Sequence, residues 1–285
     1  KHAGVIGGKH PAKKQMEKVS KDPVELVKRI KNLGDDELKD FIGMVVEKYN
    51  PTPEVRNEIS KLPVEKVGVN SLASLLIDYS WGSEPNSFHK VYPETIERLA
   101  ASRDYTVARA AAMHPDAPDK VLIDLVTPGK LPMSDQQGIV KTISELKNIP
   151  REAIDKILST GEPRDLQLIA RNPHIPQEYY PIIYKKLSEI KSQKQYGGGS
   201  APADPRDIME VESAMAGNSS MSPDILLDMV NNSKYPILLK IASNPNLTQE
   251  VIDALIEKQK RGEYSRHPDG GMGIARQLAR NEEGV

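Results

Sequence analysis

Ala112-Met-His-Pro-Asp-Ala-Pro-Asp-Lys-Val121, Ala170-Arg-Asn-Pro-His-Ile-Pro-Gln-Glu-Tyr179 and Ala242-Ser-Asn-Pro-Asn-Leu-Thr-Gln-Glu-Val251 are three versions of one segment. In each, an apolar helical stretch precedes the Ala and another follows. A fourth copy runs Ala216-Gly-Asn-Ser-Ser-Met-Ser-Pro-Asp-Ile225, a degenerate fifth Ser144-Glu-Leu-Lys-Asn-Ile-Pro-Arg-Glu-Ala153, and a sixth is traced from Ser87 to Glu94. Ser144 to Ala170 and Ala216 to Ala242 are each 26 residues. A unit of that length holds two short helices and two turns, and neither helix can bury its apolar side without a stacked neighbour.

Each recurring residue type has a local use. The small side chains of Ala112, Ala170, Ala216 and Ala242 permit close helix approach. Asn172, Asn218 and Asn244 are suited to the left-handed conformation that ends a helix, with His114 in the same slot. Pro115, Pro173 and Pro245 block continuation, and Pro118, Pro150, Pro176, Ser222 and Thr248 open the next helix. Pairs such as Val121 and Leu125, or Val251 and Leu255, then face the core. These positions are architectural.

Upstream the stripes are helical but do not repeat. Leu26, Ile30 and Leu33 mark a helix ended by Gly34. Leu38, Phe41, Ile42, Val45 and Tyr49 mark a second ended by Asn50-Pro51; Thr52-Pro53 opens a third with Val55, Ile59 and Leu62. Leu72, Leu75, Leu76 and Tyr79 form a fourth. With no period-2 run of β-branched residues, the chain is expected to be all-α. The expected division is a basic flexible arm (1–22), an N-terminal helical region (23–84), repeats (85–191), a Gly/Pro-rich insertion (192–204), repeats (205–262) and a C-terminal segment (263–285).

Composition narrows the chemistry. With no cysteine among 285 residues, disulfide scaffolds, thiolate metal sites and cysteine nucleophiles are excluded. A formal charge of -1 argues against a surface that coats nucleic acid throughout. The six histidines have no metal-ligand spacing, and no apolar run approaches the roughly 20 residues of a membrane span. Gly4-Val-Ile-Gly-Gly8-Lys9-His10 fails as a phosphate loop, because the first glycine is misplaced and His10 replaces the required hydroxyl. The chain begins at Lys1 rather than Met, so it is expected to be processed, tagged or a fragment.

The Ala-x-Asn-Pro-x-x-Pro segments resemble those of the leucine-rich repeat variant family, and more broadly HEAT-type α-solenoids, over roughly residues 87 to 260. The resemblance implies a superhelix of short helices. The cysteine-ligated iron–sulfur segment of that family's best-known member has no counterpart in this chain. The expected function is a non-catalytic binding or scaffold protein facing a protein partner, in its most specific form a structural subunit of a large assembly such as a virion. No enzyme activity, cofactor, metal or membrane is expected, and the location is intracellular (cytoplasmic) or within a virus particle.

Residues 1 to 32 hold nine basic and three acidic side chains. The alternative is therefore a nucleic-acid-binding solenoid using the arm, with Lys9, Lys13 and Lys14, together with Lys258, Lys260 and Arg261. A loop gathering Trp81, Phe88 and His89 is a candidate contact, since exposed aromatics anchor partners. Asp78 and Trp81 are the only pair that a HEAT-like DNA glycosylase would have to use, and no motif of that family accompanies them.

Overall fold

The computed structural model describes residues 11–78, 87–193, 203–262 and 272–283, and is all-α apart from one hairpin of two-residue strands. It divides into two compact units, 1–143 and 144–285. The sequence boundary near residue 84 is therefore not a unit boundary: the first two repeat copies share a core with the N-terminal helices.

The first unit starts with α1 (Pro11–Val19), α2 (Pro23–Ile30), α3 (Asp35–Tyr49) and α4 (Pro53–Ser60). From Pro11 to Val19 the expected flexible arm is a helix packed on α2 and α3, with Val19 and Ser20 buried. One buried edge is enough to hold a helix whose other faces are basic, because tertiary packing outweighs local composition. Asp22 Oδ1 caps α2 by accepting from the Val24 and Glu25 amides at 2.9 and 3.2 Å. Gly34, expected to end a helix, instead precedes α3 as its N-cap, with an ordinary φ of -70°. Asn50 ends α3 in the left-handed conformation, φ 43°.

Next come α5 (Val64–Val67) and α6 (Val69–Ala73), separated by Gly68 at φ 90°. The helix expected through Leu76 and Tyr79 stops at Ala73. The chain turns into β1 (Ile77–Asp78), antiparallel to β2 (Ser87–Phe88), pairing Ile77 with Phe88 and Asp78 with Ser87. Leu72, Leu75 and Leu76 are still buried. The cause is α4: the Arg56 guanidinium takes the Ser74 and Leu75 carbonyls, which a continuing helix would have given to its own amides.

The unit is completed by α7 (Pro93–Ala100), α8 (Tyr105–Met113), α9 (Asp119–Val126) and α10 (Met133–Ser144), whose last residue opens the second unit. Helix α8 packs on α6, α7 and α9. Gly138, inside α10, lies under the Tyr105 ring, where a Cβ would stand 2.8 Å from Cε2 and from the hydroxyl. Gly138→Ala should therefore destabilise by about 1 kcal/mol despite the helix propensity of alanine. A urea melt showing a gain of stability would remove the proposed ring contact.

The second unit contains α11 (Arg151–Ser159), α12 (Pro163–Arg171), α13 (Tyr179–Gln193), α14 (Pro205–Gly217), α15 (Pro223–Asn232), α16 (Tyr235–Ala242), α17 (Gln249–Lys260) and α18 (Gly273–Glu283). Helix α12 packs on α14, α14 on α16 and α16 on α18, while α15 packs on α17. Ala170, Ala216 and Ala242 have no exposed surface, as close helix approach requires.

The asparagines do something other than expected. Asn172 and Asn218 are extended, with φ/ψ of -79/116° and -78/119°, and Asn244 is not left-handed either. A left-handed Asn would serve only its own helix end. In the extended form the side chain spans two copies. Asn218 Oδ1 accepts from the Ser220 amide at 2.8 Å, and Nδ2 donates to the Ala170 and Asn172 carbonyls at 2.7 and 3.2 Å. Asn244 repeats this on Ala216 and Asn218, both at 2.9 Å. Asn172 does so on Ser144 and Leu146, at 2.8 and 2.7 Å, which places the degenerate copy in the same register.

A further rung lies in the C-terminal segment. Asn281 Nδ2 donates to the Asn244 and Ala242 carbonyls at 2.6 and 3.4 Å, and Ile274 of α18 is fully buried. Ala279-Arg280-Asn281 repeats Ala170-Arg171-Asn172. In the first unit His114 fills the slot: its Nδ1 accepts from the Asp116 amide at 3.1 Å, and its Nε2 meets the His89 carbonyl at 2.9 Å. Leu146 has no donor to offer, so the side-chain ladder is interrupted at that copy.

Candidate functional site

In the first unit, the C-terminal ends of α3 and α6, the hairpin and the outer side of α8 surround a cleft of about 930 Å³. A volume of this size is in the range of ligand and peptide pockets. Its walls carry Lys48 and Asn50 from α3 and its cap, Asn70 and Ser74 from α6 and its cap, Asp78, Ser87 and His89 from the hairpin region, and Thr106 and Arg109 from α8. A shallower groove of about 560 Å³, running along α3 past Lys39 and Met44, shares Glu47, Lys48 and Asn70 with it.

Beneath the cleft lies Arg56, 1% exposed and the largest fully buried side chain among the described residues. Its Nε donates to the Pro51 carbonyl at 2.9 Å, Nη1 to the Leu75 and Ser74 carbonyls at 2.8 and 3.2 Å, and Nη2 to Asn50 Oδ1 at 2.9 Å. Among the described residues no carboxylate hydrogen-bonds it. Burial pushes the guanidinium down to about 10, opposed by the charge of Asp78. Arg56 thus fixes the hairpin entry and the α3 exit, which are two walls of the cleft.

His89 is held down to about 4, mainly by burial and then by the positive charge of Arg56, with Asp78 acting the other way. It is a neutral imidazole at physiological pH. Arg109 is half-buried on the cleft wall and makes no hydrogen bond or ion pair with the described residues, and the same is true of the exposed Lys48. The lining therefore offers two cations without a partner among the described residues, several amide and hydroxyl groups, and the carboxylates of Glu47 and Asp78.

The candidates drawn from sequence are scattered. Phe88 and His89 belong to the cleft region: the Phe88 ring, 38% exposed, meets the His114 imidazole edge-on at 5.6 Å and 77°. Trp81 and Lys9 lie outside the described residues, as does most of the 192–204 insertion. Lys13 and Lys14 are exposed on α1 in the first unit, whereas Lys258, Lys260 and Arg261 are at the end of α17 in the second. Lys260 pairs with Glu257 at 3.2 Å and Lys258 donates to the Asn231 carbonyl at 3.3 Å, so part of that cluster is already engaged.

Arg56, Arg109 and Lys48 were not singled out by the sequence reading. Arg56 had a readable signal, since it stands three and four residues before the buried Ile59 and Ser60, on the apolar side of α4. Arg109 had none: it is one arginine among the alanines of α8. Among the described residues no group of three or more His, Asp or Glu is placed to hold a metal, and no helix is long and apolar enough to cross a membrane.

No family model matches the chain, and no curated protein matches it. Among solved structures, it is similar to a crystal structure of an engineered protein, at 15% identity and a TM-score of 0.37, over 91% of this chain and 78% of that one.

Proposed function

We propose that this chain is a non-catalytic binding or scaffold protein, an α-solenoid of the leucine-rich repeat variant or HEAT-like kind, with the cleft of its first unit as a contact site for a protein partner. The observation that supports this is the ladder. The polar side chains that recur from copy to copy, at positions 172, 218, 244 and 281, are spent on bonds between copies. What recurs is architecture, and what varies is surface, which is the division of labour of repeat proteins that bind partners.

A protein partner suits the cleft better than a nucleic acid does. Lys48 and Arg109 share its lining with Glu47 and Asp78, a mixed lining that would repel part of a phosphate backbone but can match a polypeptide of both signs. In its most specific form the proposal makes the partner a neighbouring subunit of a large assembly, such as a virus particle. Nucleic acid is the competing partner, through Lys13, Lys14 and the other basic residues of α1.

Affinity capture from the source extract, with and without nuclease, tests the reading when run beside a Lys48→Glu, Arg109→Glu variant. Stoichiometric proteins should be retained after nuclease treatment. The double charge reversal should weaken their retention by about 30-fold, equivalent to roughly 2 kcal/mol. Retention of nucleic acid, or loss of the proteins with nuclease, would reject the protein-partner reading. Retention unchanged by the variant would reject the cleft as the contact.

A further inference from the structure

In the second unit, the C-terminal ends of α12, α14 and α16 border a small cavity of about 290 Å³, lined by Arg171, Ser213, Ala214, Gly217, Asn218 and Lys240. Its charges are not balanced. Two cations and a hydroxyl line it, and no carboxylate does. The cleft of the first unit sets Glu47 and Asp78 beside its cations, and the cavity between α7 and α9 sets Glu97 and Asp124 beside Arg103, Lys120 and Lys130.

Cations in the last turn of a helix ordinarily serve its free carbonyls. Here the ladder has taken over that task. The Ala170 and Asn172 carbonyls at the end of α12 accept from Asn218, and the Ala216 and Asn218 carbonyls at the end of α14 accept from Asn244. At the end of α16 the Ala242 and Asn244 carbonyls accept from Asn281. The side chains of Arg171 and Lys240, both exposed, and the hydroxyl of Ser213 make no hydrogen bond or ion pair with the described residues.

Gly217 makes the gap. Arg171, Gly217, Ser243 and Arg280 each stand one residue before a rung asparagine, so they hold equivalent places at the ends of α12, α14, α16 and α18. Gly217 has no positive φ, so its backbone does not call for glycine. The approach of Lys240 does: a Cβ on Gly217 would stand 2.5 Å from Lys240 Cε and 3.3 Å from Nζ. We propose that this gap is a binding site for a phosphate group, free or carried by a small molecule, held between the Arg171 guanidinium and the Lys240 ammonium with the Ser213 hydroxyl as a further donor. The arginine fork engages two oxygens at once, the ammonium is a point charge for a third, and a phosphate carries both the oxygens and the charge to answer two cations. The site rests on no property of the cleft in the first unit.

Amide NMR of the full chain, titrated with sodium phosphate at constant ionic strength, tests the site. The Ser213 and Gly217 amides should shift saturably with a Kd of about 1 mM or tighter, as two charge-assisted contacts allow. Shifts still linear at roughly ten times that concentration overturn the proposal. Lys240→Gln and Arg171→Gln should each weaken binding about tenfold with Tm unchanged, because neither side chain bonds the described residues. Gly217→Ala should weaken it similarly by displacing the lysine, yet keep or raise Tm, since alanine favours the helix and the three nearest atoms to its Cβ all belong to that one flexible side chain. Lys234→Gln, at the N-cap of α16 and outside the cavity, should bind as the wild type does. Wild-type affinity in Gly217→Ala, or in both charge variants, would overturn the site. A parallel titration with glycerol 2-phosphate separates the sources: tighter binding than inorganic phosphate identifies an esterified group, and equal or weaker binding the free ion. Saturation of the same amides by sodium acetate at equal concentration would overturn the assignment to phosphate.

Discussion

Replacing Asn218 by alanine should destabilise the second unit by roughly 3–5 kcal/mol and lower its Tm by about 10 °C. The side chain is 4% exposed and serves four partners: the Ala170 and Asn172 carbonyls, the Tyr180 hydroxyl and the Ser220 amide. Tyr180 also donates to the Asn172 carbonyl, so that acceptor keeps one bond when the rung is lost. The Ala170 carbonyl and the Ser220 amide are left without one of the bonds that the rung supplied, in a site from which water is excluded. Asn218→Asp is the sharper variant because it keeps the shape. Its carboxylate can still accept from Ser220 but would turn a negative oxygen toward two carbonyls, so it should cost at least as much at neutral pH and recover in part on acidification. Urea melts of both variants decide the matter. A loss below about 1 kcal/mol in either would mean that helix packing alone holds the copies in register.

Arg56→Met should have an effect of similar size, about 3–5 kcal/mol, confined to the first unit. Methionine fills the volume but leaves the Pro51, Ser74 and Leu75 carbonyls and Asn50 Oδ1 without their donor. Arg56→Lys keeps the charge and loses the planar fork, so it should restore only part of the stability. Hydrogen exchange distinguishes this from a general loss: amides of the hairpin and α6 should lose protection, while those of α12, α14 and α16 should not. Equal loss across both units would show that Arg56 is not the local determinant of the turn after α6.

The physical reason for the size of both effects is the same. These side chains do not add contacts to an already satisfied structure; each one supplies hydrogen bonds to backbone groups that belong to other segments. That is also why they were read differently from the linear sequence. Asn172, Asn218 and Asn244 were legible as recurring helix-end residues, and the slot they occupy is real, but a local reading assigns a helix-end Asn a local task. The extended backbone that sends the amide to the preceding copy depends on the neighbour being there. His114 shows the same limit: its place in the repeat is plain in the sequence, while the use of both ring nitrogens is not.

The cleft was legible only in fragments. Phe88 and His89 stood out as part of an aromatic, non-repeating stretch, and the hairpin partly explains why, since β2 carries Phe88 and anchors the rung of His114. Arg109 and Lys48 stand 61 residues apart in the chain, and nothing in either segment announces the other. The helix from Pro11 onward is not legible in the sequence, because its one apolar edge shows only once α2 and α3 cover it.

By itself the sequence determined the all-α class, the positions of most helices, the recurring slot of Asn172, Asn218 and Asn244 and many of the residues that start and stop helices, because these follow from apolar spacing, proline chemistry and capping, all of which act within a few residues. Tertiary structure decided the hairpin that replaces the end of a helix, the further rung at Asn281, the division into units at residue 143 and the cleft with its buried arginine. Those depend on which distant backbone groups lack a partner, and that is settled only when the helices pack.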